Sequence, residues 1–372
     1  MKGSWYLGSV SNIKLFIHWT FLILLGWIVI SYYQLHHSVN EALIGGGFII
    51  LLFICVILHE LGHALTAKHF HIKTRSITLL PIGGLASMEK MPEKPIQEMW
   101  VAIAGPLVNF IIALGFYFYL HFRQELPSLS DLQNLQTLSG DTLILNLFFA
   151  NIVLGIFNLI PAFPMDGGRV LRAILAMSSD KVKATTIAAS IGKILAVIFI
   201  FFGIFYDFWM VFIGVFIYLG AGAENVQQRT VSLLTGLKVR DALITNFRSM
   251  YPTDTLAHAA QQLLQSQDNE FIVKDINNQR VQGILTRENI IQGLSETGPD
   301  TQIASVMTRD LYELTEDIPL EEVNRKMLIG RYRVCPVYRD SQLVGIIDQE
   351  NIKEMIMLRM AEQKMVAHTR IA

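Results

Sequence analysis

Two histidines four residues apart and one glutamate lie in the stretch Leu58-His59-Glu60-Leu61-Gly62-His63. On an α-helix, residues four apart share a face, so His59 and His63 can both point at a single ion. Zinc accepts neutral imidazole nitrogens, and Glu60 can reach a water molecule beside the metal rather than the metal itself. In this HExxH pattern the metal lowers the pKa of the water and the glutamate takes its proton. The spacing therefore predicts a hydrolytic zinc site.

The pattern lies at the end of a long apolar run, residues 43–66. Three ionisable groups in one turn of a membrane helix are costly and would not persist facing lipid without a function. The alternative is a cluster at the helix end that the cytoplasm hydrates. Thr66 and Lys68 come later and fit that interface better, which favours the metal site.

A catalytic zinc site needs a third protein ligand and an open position for water. Asp166, in the stretch NLIPAFPMDGGR at 158–169, follows another apolar run and is predicted to reach the same membrane depth as His59 and His63. Two prolines in this stretch break the helix, so the carboxylate can turn inward. Asp166 can also be the N-cap of the helix that follows, and the two roles are compatible.

The composition predicts a membrane protein, because 52% of the 372 residues are hydrophobic and only 16% are charged. Six stretches approach the length of about 20 residues that a spanning helix needs. These are residues 15–33, 43–66, 99–120, 143–163, 187–206 and 208–223. Lys and Arg concentrate in the loops on one side, which places both termini in the cytoplasm of a multi-pass plasma-membrane protein.

Charge and cysteine content exclude other classes. The net charge of −1, with no basic tail, gives no reason to expect nucleic acid as a partner. Cys55 and Cys335 are the only cysteines, so a disulfide framework or a CxxC metal site cannot form. Residues 71–89 alternate β-branched and polar side chains around a Gly-Gly pair, which predicts a β-hairpin, with a plain cytoplasmic loop as the alternative.

Three motifs together resemble the site-2 protease family of intramembrane zinc metalloproteases, and the resemblance covers roughly residues 1–222. The motifs are HELGH at 59–63, GPLVN at 105–109 and NLIPAFPMDGGR at 158–169. The resemblance implies one Zn²⁺ per chain, with His59, His63 and Asp166 as ligands and Glu60 as the general base.

The same resemblance implies roles for two asparagines and for the hairpin. Asn109 and Asn158 match family positions that contact the substrate backbone or the transition state, although each asparagine could instead form hydrogen bonds between helices. In similar proteins the hairpin lies against the membrane near the site and pairs with an extended substrate.

An internal repeat occupies the polar C-terminal part of the chain. VRDALIT (239–245) corresponds to IASVMTR (303–309), and QGILTRENIIQGL (282–294) to VGIIDQENIKEMI (344–356). The repeat resembles tandem cystathionine-β-synthase (CBS) domains, which form an α/β module. The predicted domains are a protease domain at 1–223, a linker at 224–237, CBS domains at 238–298 and 299–360, and a tail at 361–372.

CBS domains often bind adenine nucleotides, and the members that bind ribose carry Ser or Thr followed three residues later by Asp. Here the corresponding pairs are Thr286 with Asn289 and Asp348 with Asn351, so both final positions depart from that pattern. The alternative is a module that binds no ligand and forms a homodimer. We interpret Arg331–Arg333 as a solvated edge rather than a phosphate site.

Three functions compete for this pattern. The first is an intramembrane zinc endopeptidase that cuts single-span, membrane-anchored substrates, such as an anti-sigma factor or a pro-form of a transcription factor, near the cytoplasmic face. The second is a transporter gated by the CBS pair, which predicts polar residues spread along several spans rather than gathered at one depth. The third is an inactive scaffold, which a lost HExxH residue would favour. The complete motif favours the protease.

Overall fold

The computed structural model describes residues 3–81, 83–88, 92, 94–124, 140, 142–265, 269–276 and 280–369. The chain divides into two compact units, Met1–Gln228 and Arg229–Ala372. The first contains the apolar helices and the second contains the repeat.

The first unit begins with two strands and two long helices, and further helices follow a second pair of strands. In chain order these elements are β1 (Ser4–Val10), β2 (Ile13–His18), α1 (Trp19–His36), α2 (Val39–His69), β3 (Thr74–Leu80), β4 (Gly83–Met88), α3 (Pro95–Phe122), α4 (Leu143–Asn158), α5 (Asp166–Ala176), α6 (Lys181–Phe205) and α7 (Phe208–Leu234).

Five of the described helices, α1, α2, α3, α6 and α7, are long and apolar enough to cross a membrane. The predicted span 143–163 corresponds to α4, which has 16 residues and ends at Asn158 instead of residue 163. The first span begins at Trp19 rather than residue 15, because the preceding residues pair as strand β2. The last helix continues to Leu234, so residues 224–234 of the predicted linker are helical.

One sheet holds all four strands of this unit in the order β1-β2-β3-β4. β3 and β4 pair in antiparallel fashion and form the predicted hairpin, while β2 pairs in parallel with β3 and joins the unpredicted N-terminal strands to it. Ile13 and Ile77 of the sheet are buried against Leu61 and Ala64, so the sheet packs on the part of α2 that carries the HExxH motif.

The segment between α4 and α5 is a series of turns, as its prolines predict. Met165 is the N-cap of α5 and makes no side-chain capping bond, so the predicted N-cap role of Asp166 is wrong; Asp166 is the first helical residue. Buried contacts join Ala162 and Met165 to α6 and α7, which fixes the segment that leads into α5.

The second unit repeats one arrangement of strands and helices. Its elements are β5 (Ser249–Met250), α8 (Leu256–Gln265), β6 (Glu270–Lys274), β7 (Val281–Thr286), α9 (Arg287–Glu296), β8 (Leu314–Thr315), α10 (Leu320–Gly330), β9 (Val334–Arg339), β10 (Gln342–Asp348) and α11 (Gln349–Thr369). Each half forms a three-stranded sheet, β5-β6-β7 or β8-β9-β10. Ile272 and Ile284 of one sheet share a buried cluster with Val334 and Ile346 of the other.

Candidate metal centre

Helices α2 and α5 bring three potential metal ligands together. The Nε2 atoms of His59 and His63 lie 3.0 Å apart, and Asp166 Oδ2 lies 3.2 Å from the first and 3.0 Å from the second. All three residues are buried, at 7%, 3% and 7% exposure. They form a group of metal-ligating side chains within the described part of the chain, and Asp166 lies 103 residues after His63.

The three residues fit a zinc ion by the spacing of their ligand atoms. Around a tetrahedral ion with bonds of about 2.0–2.1 Å, neighbouring ligand atoms are about 3.3 Å apart, which is close to the distances between His59, His63 and Asp166. Two imidazoles and one carboxylate leave a fourth position open. This donor set suits a catalytic rather than a structural site.

The carbonyl of Val101 on α3 orients one of the imidazoles. His63 Nδ1 donates to this oxygen at 2.7 Å, which fixes the tautomer and leaves Nε2 as a free lone pair for a metal. The Nδ1 atom of His59 is buried and has no hydrogen-bond partner among the described residues.

Two glycines allow backbone to approach the site closely. A Cβ added to Gly105 on α3 would lie only 2.7 Å from His59 Nε2 and would also overlap the His63 ring. A Cβ added to Gly84 on β4 would lie 2.5 Å from Glu60 Cγ. Helix α3 therefore forms one wall against the imidazoles, and β4 packs directly on the half-buried Glu60.

The two predicted asparagines differ in their surroundings. Asn109 is 1% exposed, one turn along α3 from Gly105, and its Oδ1 has no partner among the described residues. Asn158 is half-buried and donates from Nδ2 to Leu154 O in its own helix at 3.0 Å. The structure thus leaves an unused acceptor on Asn109, whereas the amide nitrogen of Asn158 is already engaged.

A cleft of about 260 Å³ lies beside one of the two predicted nucleotide positions of the first CBS repeat. Thr286 lines it, but Asn289 Oδ1 accepts from Thr286 N at 3.1 Å and Oγ1 at 2.8 Å, closing a capping box at the start of α9. In the second repeat Asp348 Oδ1 accepts from Asn351 N, and Asn351 Nδ2 donates to Ala242 O at 2.7 Å. Hydrogen bonds within the fold therefore engage polar atoms of both pairs.

The residues of the predicted solvated edge, Arg331–Arg333, line the same cleft. Arg333 Nη1 lies 2.9 Å from both carboxylate oxygens of Glu288. A hydrogen bond to its own backbone, together with Arg333, lowers the pKa of Glu288. Burial raises the pKa of Glu270, against the opposing charge of Arg333. Exposed side chains at the rim thus form a mixed-charge edge.

Three features of the metal centre were not predicted. Gly105 lies inside the motif GPLVN and Gly84 inside the Gly-Gly pair, so the sequence did contain a signal for close backbone approach at both. The Val101 carbonyl leaves no such signal, because a backbone acceptor can belong to any residue type.

Comparison with known proteins identifies the family. The chain is 32% identical to the zinc metalloprotease MJ0392 of Methanocaldococcus jannaschii over 365 residues, which are 98% of this chain and 99% of that protein. Residues 47–202 match peptidase family M50. The chain belongs to peptidase family M50. This M50 protein is therefore a metalloendopeptidase of the site-2 protease type, in a family of membrane proteins for which zinc is implied.

Both parts of the M50 protein are similar to proteins of known structure. The site-2 protease from Methanocaldococcus jannaschii is 39% identical, covering 60% of this chain and 95% of its own, with a TM-score of 0.43. Residues 239–296 and 303–358 match the CBS domain. The CBS-domain containing protein ATU1752 from Agrobacterium tumefaciens is 20% identical, covering 32% of this chain and 97% of its own, with a TM-score of 0.30.

Proposed function

We propose that this M50 protein cuts peptide bonds of membrane-anchored substrates at a zinc ion held by His59, His63 and Asp166, with Glu60 as the general base. The observation that carries the proposal is the convergence of two imidazole nitrogens and one carboxylate oxygen within 3.0–3.2 Å of one another. Glu60 follows His59 on the same helix, outside that trio.

Each residue has a separate task in the reaction. Zinc, when bound, supplies a Lewis acid that activates water and polarises the scissile carbonyl. Glu60 accepts the proton from the attacking water and then donates it to the leaving nitrogen. Val101 holds the His63 ring in one tautomer, and the carboxylate of Asp166 supplies one negative charge beside two neutral imidazoles. The unused Oδ1 of Asn109 can accept from a substrate amide.

The position of β4 supports an extended substrate. Among the described residues β4 is the last strand of its sheet, and its Gly84 packs on Glu60. A peptide that adds to this edge would be held by backbone hydrogen bonds beside the general base. This supports regulated intramembrane proteolysis of single-span proteins near the cytoplasmic face, such as an anti-sigma factor or a pro-transcription factor, with Asn158 as a further substrate contact.

We further propose that the CBS pair regulates the peptidase from the cytoplasm. The cleft beside Thr286 supports an adenine nucleotide as the regulator, with Asn289 as the nearby polar residue and Asp348 and Asn351 as the corresponding pair in the second repeat. The competing role is homodimerisation without ligand. Calorimetric titration of the purified chain with ATP separates the two, since dimerisation alone gives no binding isotherm.

Zinc content per chain tests the metal centre. The parent protein, purified in detergent, should hold about one zinc, while His63→Ala and Asp166→Ala lose it and Glu60→Gln keeps it. Cleavage of a single-span reporter should stop in all three variants, since the first two lack the metal and the third lacks the base. A parent without zinc, or full cleavage by Glu60→Gln, would contradict the proposal and favour a transporter or scaffold.

A further inference from the structure

Four charged side chains, two buried and two partly exposed, form a cluster that the proposed chemistry does not use. Glu98 belongs to the first turn of α3, Arg172 to α5, Lys181 to the start of α6 and Glu224 to α7. Arg172 is 1% exposed and Glu98 is 2% exposed. The two positive and two negative charges cancel, so the cluster is neutral as a whole.

Arg172 is the centre of this cluster. Its Nε and Nη2 atoms lie 2.6 Å and 2.5 Å from Glu98 Oε1, and its Nη1 donates to Glu224 Oε1. Its guanidinium also lies 5.1 Å from the centre of the Phe163 ring, in the segment that leads into α5. Lys181 Nζ supports Glu98 from the other side, 3.5 Å from Oε2. A buried arginine is tolerated only with such partners, because an unpaired charge is strongly destabilising.

Helix α3 connects the two segments that carry the metal ligands. Its Val101 carbonyl accepts from His63, and its Gly105 packs on both imidazoles. One turn before Val101, Glu98 holds Arg172, and Arg172 lies on the helix that begins with Asp166. The position of Asp166 relative to the histidines therefore depends on how α5 is held on α3.

We propose that Arg172 is a positioning residue for Asp166. By joining α5 to the first turn of α3, it sets the distance between the carboxylate and the two imidazoles. Glu224 completes this arrangement from α7, so a displacement of α7 changes how firmly α5 is held. The inference rests on the proposed metal centre.

The expected loss of zinc affinity can be estimated from the general behaviour of residues that support metal ligands. Loss of a group that directly contacts a ligand lowers metal affinity by about 10–100-fold. Arg172 acts through the helix, so its removal should weaken zinc binding by about tenfold, the lower end of that range.

The test compares zinc affinity and the cobalt spectrum of full-length variants in detergent. The triple variant Arg172→Met, Glu98→Gln, Glu224→Gln removes the cluster without leaving a buried unpaired charge. We expect its zinc dissociation constant, measured by chelator competition, to rise about tenfold and the d–d bands of its cobalt form to shift. The single variant Arg172→Lys, which keeps the positive charge beside Glu98 and Glu224, should bind zinc more tightly than the triple variant.

Leu120→Ala is the matched control, because this residue is buried at the opposite end of α3. It should lower thermal stability and leave both metal readouts unchanged. If the triple variant does not fold, Glu224→Gln alone should still raise the zinc dissociation constant by a measurable factor.

Unchanged zinc affinity and cobalt spectrum in the variant that folds would overturn the inference, as would an equal loss in Leu120→Ala. A parent that binds no zinc would instead overturn the metal centre itself, and the inference with it.

Discussion

The metal centre and the CBS repeats use their polar side chains in opposite ways. At the metal centre, ligand atoms of His59, His63 and Asp166 converge, and Nδ1 of His59 and Oδ1 of Asn109 have no partner among the described residues. Burial of such groups is costly unless something binds them. The converging atoms could therefore hold a metal ion and Asn109 Oδ1 could accept from a bound molecule, whereas a metal at His59 Nε2 would not satisfy Nδ1 of the same ring.

In the CBS repeats the predicted ligand-binding residues already have partners. Thr286 and Asn289 cap α9, and Asn351 Nδ2 donates a hydrogen bond to the backbone carbonyl of Ala242. These contacts stabilise the fold whether or not a ligand is present. The difference teaches that a nucleotide at these positions would have to share or replace hydrogen bonds that the side chains already make within the fold.

The largest expected effect tests whether the metal centre has any spare room. Gly105→Val should abolish zinc binding, because its Cβ would lie 2.7 Å from His59 Nε2 and the branched methyls would press on both rings. Gly115→Ala is the control, since a Cβ there has no neighbour within 4 Å and Ala favours the helix. Atomic absorption measures the zinc content of both variants. A Gly105→Val protein with full zinc would show that α3 does not confine the imidazoles.

A smaller effect separates the base from the metal. Gly84→Ala should lower cleavage of a single-span reporter by at least about tenfold while zinc is retained, because the added Cβ displaces Glu60, and a positioned base contributes about 10²–10⁴-fold. Gly47→Ala on α2, which meets nothing within 4 Å, should be neutral. Loss of zinc from Gly84→Ala would mean that β4 supports the ligands as well as the base.

The interior of the CBS module should respond to pH through Cys335. Burial raises the pKa of this thiol from 9.0 to about 12. Above pH 9 the unfolded chain loses the proton and the folded chain keeps it, so stability falls as pH rises from about 9 towards 12, by about 1.4 kcal/mol at pH 10.

Urea unfolding of the parent and of Cys335→Ala at pH 7 and pH 10 measures this difference. The parent should lose about 1.4 kcal/mol more than the variant between the two values. Equal losses in the two proteins would show that the thiol ionises freely in the folded state.

The smallest effect concerns the caps of the CBS repeats. Thr286→Ala should lower stability by about 1 kcal/mol in the absence of nucleotide, because it removes the capping box of α9. Thr301→Ala, which removes a hydroxyl that donates to Thr297 O, should change little. If Thr286→Ala melted at the wild-type temperature without ligand, the capping box would not stabilise the CBS repeat. The contrast between the CBS repeats and the metal centre would then be lost.

Local patterns predicted much of this architecture. The HExxH spacing on a helix, the prolines that end α4, the hairpin of β3 and β4, and the CBS repeat all depend on neighbouring residues, so the sequence was sufficient for them. The approach of Asp166 to the histidines was predicted in another way, from counting the spans between them.

Features that depend on distant partners were not predicted. Residues 13–18 continue into α1 by composition alone, but they pair with β1 and also with β3, which lies far along the chain. Arg172 has no local sign of burial, since Glu98 lies 74 residues before it and Glu224 lies 52 after it. Pairings of this kind become visible only once the helices are packed.

The shortness of α4 has a consequence for the product of cleavage. Its 16 residues rise about 24 Å, about 6 Å less than the hydrocarbon thickness of a bilayer. We therefore expect the turn before Asp166 to lie below the lipid surface, where its packing on α6 and α7 shields the irregular backbone. A depth of about 6 Å equals about two residues of extended chain. A substrate fragment cut at that depth should thus keep only about two apolar residues that were embedded in the lipid. We expect it to leave the bilayer and diffuse into water.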